Sequence, residues 1–287
     1  TTLSNWPALV RLSETIPTFK YASFASATGG DLRFTSGDQT QMRNFEIERW
    51  DIAGESQIWV TLPELPPGGT TIYAYWGNPS DTALPVYATN GAAWTGGFRG
   101  VYHFNESVAL ASVDATRRGH NAFASEGTIA HVNGMIGKAQ DFTRNSRIRV
   151  PQSNDFAMPG TDYTMSAWIY TQDGGVHGIF GTSGQGFRFT IWDQKLSFRA
   201  NQDVAWQGTT TVPFNSWNLV TVTKENNQVK LYRNGVLGQT VNDVNNNTDI
   251  DFAQQELQIG IAAPDHGWWM EGVIDEPRIE GRGHSVD

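Results

Sequence analysis

Hydrolysis of a glycan needs two carboxyl groups on one face, so the acidic residues are read first. Side chains at i and i+2 of an extended strand share a face, which makes Glu46 and Glu48 a pair in principle. Ile47 and Arg49 flank them, and Trp50 stands where a third acid would continue the row. Asp275 and Glu276 are adjacent in sequence, so on a strand they point to opposite faces. The six His residues show no HExxH spacing, and no GxSxG elbow occurs. The expectation is a protein without a catalytic centre.

Cation chemistry has one local candidate. Asp243, Asn245, Asn247, Asp249 and Asp251 place oxygen-bearing side chains at alternate positions, like the start of an EF-hand loop. Thr248 stands where the sharp turn needs Gly, and Gln254 where the bidentate Glu belongs. The run reads as a solvated loop.

Aromatic rings are the richer resource, with 11 Trp in 287 residues. An indole left facing solvent is a flat apolar platform for a sugar ring, with nearby polar groups to orient it. Trp206 lies in the polar stretch Asn201–Gly208, and Trp268-Trp269 follows the turn residues Pro264-Asp-His-Gly267. Two adjacent Trp on an extended segment send their rings to opposite faces, so one of the pair is expected outside. His177, Arg188 and His266 are the polar contacts expected nearby.

These residues must be held by strands. Helical periodicity is almost absent, and short alternating runs recur between Gly, Pro, Asn and Asp clusters. The pattern predicts strands at 8–13, 31–35, 43–51, 57–62 and 70–76. Twelve more follow, at 100–104, 139–142, 147–150, 163–171, 178–181, 186–192, 195–200, 218–224, 228–233, 236–241, 256–261 and 270–279. Asn234-Gly235 inside one of these runs predicts a hairpin, since both residues tolerate the positive φ of a type I′ turn. The stretch 79–97 has little periodicity and marks a domain boundary near Phe98. The expectation is an all-β protein of two domains, residues 1–98 and 99–287, each a β-sandwich. Trp6, Trp50, Trp59 and Trp76 fall in the first and are expected in its core or at a domain contact.

Composition narrows the partners. A net charge of −9 argues against nucleic acid, which needs a basic footprint. No run approaches the ~20 apolar residues of a membrane helix. Without cysteine there are neither disulfides nor thiolate metal sites. The abrupt start at Thr1 and the ending at Asp287 suggest a piece of a longer polypeptide.

Ordered motifs then point to a family. Val101–Glu106, Asp114–Asn121, Gly137–Phe142, Tyr163–Ile169, Asn215–Trp217, Val229–Gly235 and Glu271–Ile279 occur in the order of one fold's strands and loops. Together the segment from Gly100 resembles the concanavalin A-like lectin/glucanase superfamily, in its laminin-G-like branch. Trp6–Leu12, Gly30–Thr35, Phe45–Asp51, Ile58–Pro63 and Ile72–Asn78 are similar to a bacterial domain of unknown function that precedes such domains in exported proteins. By that resemblance the first domain is expected to lack its family's first strand.

The resemblance implies a C-terminal jelly-roll sandwich and a structural Ca²⁺, held by Asp275 with Asn105 or Glu106 and Asp114. The equally open alternative is that Asp275 hydrogen-bonds neighbouring backbone. It also implies core places for Trp168 and Trp217, which leaves Trp192, Trp206, Trp268 and Trp269 as a surplus for ligand binding. The expected function is a non-catalytic carbohydrate-binding or adhesive module of a larger exported protein, secreted, on the cell surface or periplasmic, with a polysaccharide as partner. A protein-interaction or spacer module is the competing expectation, and a glycan hydrolase the third.

Overall fold

A computed structural model describes residues 2–106, 112–158, 160–184, 186–200, 204–242, 250–264 and 267–283, except the side chains of 124–125 and 204–207. Among the described residues strands account for nearly all of the regular structure, with short 3₁₀ segments between them. The chain divides into two compact units, Thr1–Gly96 with Ala115–Arg117, and Gly97–Asp114 with Arg118–Asp287.

In the first unit, strand Glu55–Leu65 lies between Leu3–Ser13 and Phe45–Arg49, and a second sheet pairs Arg33–Ser36 with Ile72–Tyr75. Ile58, Val60, Phe45, Phe34 and Leu32 close a core between them. Tyr21 is buried there, and its hydroxyl donates to the Leu12 carbonyl at 2.7 Å. Trp50 and Trp76 flank Phe24, one edge to face at 5.0 Å and the other stacked at 5.3 Å.

The other face of Glu55–Leu65 is also covered. Trp59 packs on Trp94 at 5.4 Å, and the Thr61 hydroxyl donates to the Ala93 carbonyl. The aperiodic stretch before Gly97 therefore includes a buried segment, Ala92–Trp94, sealing this sheet. The Trp94 and Trp59 indoles donate to Glu46 and Glu48 respectively, which explains that alternating acid pair as indole anchors.

The second unit is a sandwich of two antiparallel sheets. One runs Val236–Asn242, Gln228–Arg233, Trp217–Glu225, Tyr163–Thr171, Gly272–Glu280, Lys138–Phe142, Ile129–Asn133, with Phe98–Val101 added beside Gly272–Glu280. The other runs Val204–Thr211, Lys195–Ala200, Phe187–Trp192, His177–Thr182, Leu257–Ile259, Arg147–Val150, Ala124–Glu126. Met165, Ala167, Ile169, Val220 and Val222 from the first sheet meet Phe187, Phe189, Leu196 and Phe198 from the second in one core. Burying such alternating apolar faces against each other is the main stabilising term, roughly 1.5–3 kcal/mol per large side chain. Asn234 and Gly235 both have positive φ, as their hairpin requires.

The sequence pattern carries no strand at Ala124–Glu126 or Ile129–Asn133, and two further differences bear on the site. Val204–Thr211 occupies what reads as a polar loop, so Trp206 stands on a strand, opposite Phe198. The predicted strand 256–261 breaks at Gly260, whose φ is 86° and whose Cβ would lie 2.4 Å from the Phe142 ring. Only Gly fits, and the chain turns out of the sheet there. Beyond it, Ile261–Ala263 pairs with Trp268–Trp269 in a two-stranded hairpin of its own.

Candidate functional site

Alternation along Phe187–Trp192 decides which residues can meet a ligand. Phe187, Phe189 and Ile191 belong to the core, so Arg188, Thr190 and Trp192 share the outer face of the seven-stranded sheet. The next strand, His177–Thr182, offers only glycine to that face. A Cβ on Gly178 would lie 2.3 Å from the Trp268 carbonyl oxygen, and one on Gly181 would lie 2.6 Å from the Ala262 Cα. These two glycines let the hairpin lie directly on the sheet.

The hairpin delivers its adjacent indoles in opposite directions. Trp268 meets Trp192 edge to face at 4.8 Å, and the Arg188 guanidinium stacks on its ring at 5.1 Å. Trp269 turns the other way and lies 5.9 Å from the guanidinium of Arg147. The strands bearing Arg188 and Arg147 are three spacings apart, roughly 14 Å. Trp192 is 40% exposed, and Trp268 and Trp269 are half-buried. Edge-to-face and cation–π contacts of this kind contribute roughly 0.5–1.5 kcal/mol each and hold the rings in place.

The two ends of this face differ in charge. Arg149 makes a bidentate pair with Glu256, both bonds 2.8 Å, and Arg147 pairs with Glu126 at 2.7 Å. Near Trp192, Arg188 is almost fully buried under Trp268.

Trp192, Trp268 and Arg188 thus come together, with Trp269 on the far side of the same hairpin. His177 sits behind it. It is 2% exposed, its Nε2 is 2.9 Å from Asp173 Oδ1, and its Nδ1 accepts the Glu271 N–H. The Gly175 N–H, and after it His177, hold the Asp173 carboxyl below its ordinary value. His177 therefore positions a turn and does not face a ligand. The Trp206 side chain and His266 lie outside the described residues, as do 243–249 of the alternating oxygen run.

Trp168 and Trp217 are corrected. Met165, Ala167 and Ile169 supply the core, so Trp168 shares the opposite parity with Ser166 and Tyr170 and lies on the outer face of the eight-stranded sheet. Trp217 is half-buried there, 5.8 Å from Tyr170.

The four residues expected around calcium fall into two groups. Asp275 is fully buried and its Oδ2 accepts the Ile136 N–H at 2.9 Å; Asn105 Oδ1 accepts the Lys138 N–H at 3.1 Å. Both hold one turn, Gly134–Lys138 in the numbering of those bonds. Asp114 gives both oxygens to backbone, the N–H groups of Val101 and His120, and Glu106 accepts from Val113. Glu276 is bonded by His103 and Arg278; burial pushes its carboxyl up, but those two partners outweigh it and hold the group below its ordinary value.

Two antiparallel sheets packed face to face around one core make a sandwich of the jelly-roll kind. The chain belongs to the concanavalin A-like lectin/glucanases superfamily, whose laminin-G-type family model matches residues 142–286. Residues 28–113 match a domain of unknown function. Among solved structures, domain 4 of AbnA, a GH43 extracellular arabinanase from Geobacillus stearothermophilus solved with arabinotriose, aligns at 21% identity and a TM-score of 0.52, over 66% of this chain and 94% of that one. The binding domain of Paraclostridial Mosquitocidal Protein 1 aligns at 15% identity and a TM-score of 0.54, over 66% and 50%. Botulinum neurotoxin type C, whose cell entry depends on interaction with two ganglioside molecules, aligns at 17% and 0.50, over 66% and 49%. The chain thus spans about half the length of the two toxin structures. No curated protein matches it in sequence.

Proposed function

We propose that the second unit is a non-catalytic carbohydrate-binding module that grips a polysaccharide on the outer face of its seven-stranded sheet. The observation that carries this is Trp192, 40% exposed and braced edge to face by Trp268. A rigid, half-exposed indole loses little entropy on binding and presents its apolar face to a sugar ring. The arabinotriose bound to the arabinanase domain, and the gangliosides of the neurotoxin, support a glycan as the ligand class for this fold.

Binding without cleavage is favoured by the acids on this face. Glu126 and Glu256 spend their carboxylate oxygens on Arg147 and Arg149, which gives that pair of acids the work of tying strands together rather than of flanking a glycosidic bond. Export to the cell surface, the periplasm or the medium, as part of a longer polypeptide, belongs to the same proposal.

Structural calcium belongs to it as well, confined to Asn105 and Asp275. Each already bonds the same turn, and carboxylate and amide oxygens are the hard ligands that Ca²⁺ prefers.

Affinity electrophoresis of the whole chain against immobilised polysaccharides tests the reading. Retardation that Trp268→Ala and Trp192→Ala abolish supports it. Retardation by no polysaccharide, or retardation unaltered in both variants, overturns it.

A further inference from the structure

Alternation carries the inner face of strand Glu55–Leu65 to the end of the first unit's core. Ile58 and Val60 fill that core, Leu62 is next in phase and buried, and Glu64 after it is exposed. Arg43 stands two residues before the buried Phe45, and Thr70 and Thr71 precede Ile72, which packs on the core from the other sheet. Where the apolar rows give out, a cavity of about 350 Å³ opens, and its lining includes Arg43, Leu62, Glu64, Thr70, Thr71 and Ile72. The backbone around Arg43 is fixed. Its N–H donates to the Phe34 carbonyl at 2.9 Å, and the Asn44 carbonyl accepts the Thr61 N–H at 2.9 Å. The side chain is half-buried, and its Nε is shielded from solvent and donates to no described acceptor. Glu64 shares the cavity, yet among the described residues no ion pair or hydrogen bond joins its carboxylate to Arg43 or to any other group.

A buried guanidinium N–H without an acceptor is destabilising, and a carboxylate brought to it forms a strong charge-assisted bond. Opposite charges held apart across one cavity suit a ligand that carries both countercharges on a short skeleton. The volume lies at the lower end of the roughly 300–1,000 Å³ of small-molecule sites, so the skeleton must be small. Leu62 and Ile72 give the cavity an apolar side, and the Thr70 and Thr71 hydroxyls add hydrogen-bonding groups.

We infer that the first unit binds a free α-amino acid with an apolar side chain, its carboxylate on Arg43, its ammonium on Glu64 and its side chain against Leu62 and Ile72. The site belongs to the first unit alone and stands or falls separately from the glycan-binding reading.

Calorimetric titration of the whole chain with leucine, leucinamide and isocaproate tests this, since the second lacks the carboxylate and the third the ammonium. Leucine should bind at least about tenfold more tightly than either analogue. Arg43→Gln should weaken leucine by about tenfold and leave leucinamide unaltered. Glu64→Gln should weaken leucine and leucinamide by a similar factor and leave isocaproate unaltered. Glu64 is exposed, so its variant should melt with the parent and decides the matter even where Arg43→Gln destabilises the unit. No binding of leucine at millimolar concentration would overturn the inference. So would leucine bound no more tightly than both analogues, or parental affinity for leucine in Glu64→Gln.

Discussion

The indole of Trp192 meets that of Trp268 edge to face, with centroids 4.8 Å apart and planes at 84°. Seventy-odd residues separate them, and the contact exists because a short hairpin leaves one sheet at Gly260 and lies back across it. Trp268 fixes the ring that solvent reaches and covers Arg188 in doing so.

The hairpin's seat depends on two missing side chains. Gly178→Ala would drive a methyl to 2.3 Å from the Trp268 carbonyl, and Gly181→Ala to 2.6 Å from the Ala262 Cα. Each should cost about 1–3 kcal/mol, the usual penalty of overpacking. Each should also lift Trp268 off Trp192. Denaturant melts and polysaccharide titration of the same variants check this, and both should move together. Stability lost with binding intact would separate the hairpin from the site.

Asp31 governs the first unit. It is 2% exposed and accepts N–H bonds from Ala25 at 2.9 Å, Ser26 at 3.0 Å and Gly77 at 2.6 Å, tying distant loops to one carboxylate. Burial pushes its pKa up, but the N–H bonds of Ala25, Gly77 and Ser26 outweigh this and hold the group below its ordinary value. A folded pKa below the unfolded one gives stability that is whole above about pH 4 and is lost as pH falls through the folded value. Asp31→Asn should destabilise this unit by about 1–3 kcal/mol at neutral pH and flatten that acid limb. Chemical denaturation at neutral and acid pH measures both. An unchanged acid limb would show that other carboxylates govern it.

Calcium makes a separate prediction. If Asn105 and Asp275 hold it, adding the ion at about a hundred times its dissociation constant should stabilise the second unit by about 2.7 kcal/mol, and chelation should reverse this. Asp275→Asn should abolish the response. Calorimetric melts that are indifferent to calcium and to chelator would contradict a calcium site there and leave Asp275 its hydrogen bond to the Ile136 N–H.

Much of the fold was legible because alternation is local. The strands Arg147–Val150, Tyr163–Thr171, Lys195–Ala200 and Gln228–Arg233 have the limits their sequences predict. Parity within a strand also held information that the family resemblance obscured. Trp168 is out of phase with Met165, Ala167 and Ile169, which marks it as outward, although a core place was expected for it. Likewise Arg188, Thr190 and Trp192 are in phase with one another and out of phase with three core residues.

What stayed hidden is long-range. No local period tells which strand a later hairpin will cross, so Arg188, Trp192 and Trp268 could be grouped as candidates from the sequence while the ring contacts that join them could not be read there. The strand at Val204–Thr211 was concealed by its polar residues, which suit an edge as well as a loop. Ala92–Trp94 packs as an irregular segment, and irregular segments carry no periodicity to read.

The central claim is tested most directly by one calorimetric titration series, in which parent, Trp192→Ala and Trp217→Ala meet the polysaccharide that binds the parent best. Both substitutions remove an indole from an outer sheet face, but only Trp192 lies on the seven-stranded side. The account predicts at least about a tenfold loss for Trp192→Ala, equivalent to 1.4 kcal/mol, and parental affinity for Trp217→Ala. Parental affinity in Trp192→Ala together with loss in Trp217→Ala would place the ligand on the opposite sheet and contradict it.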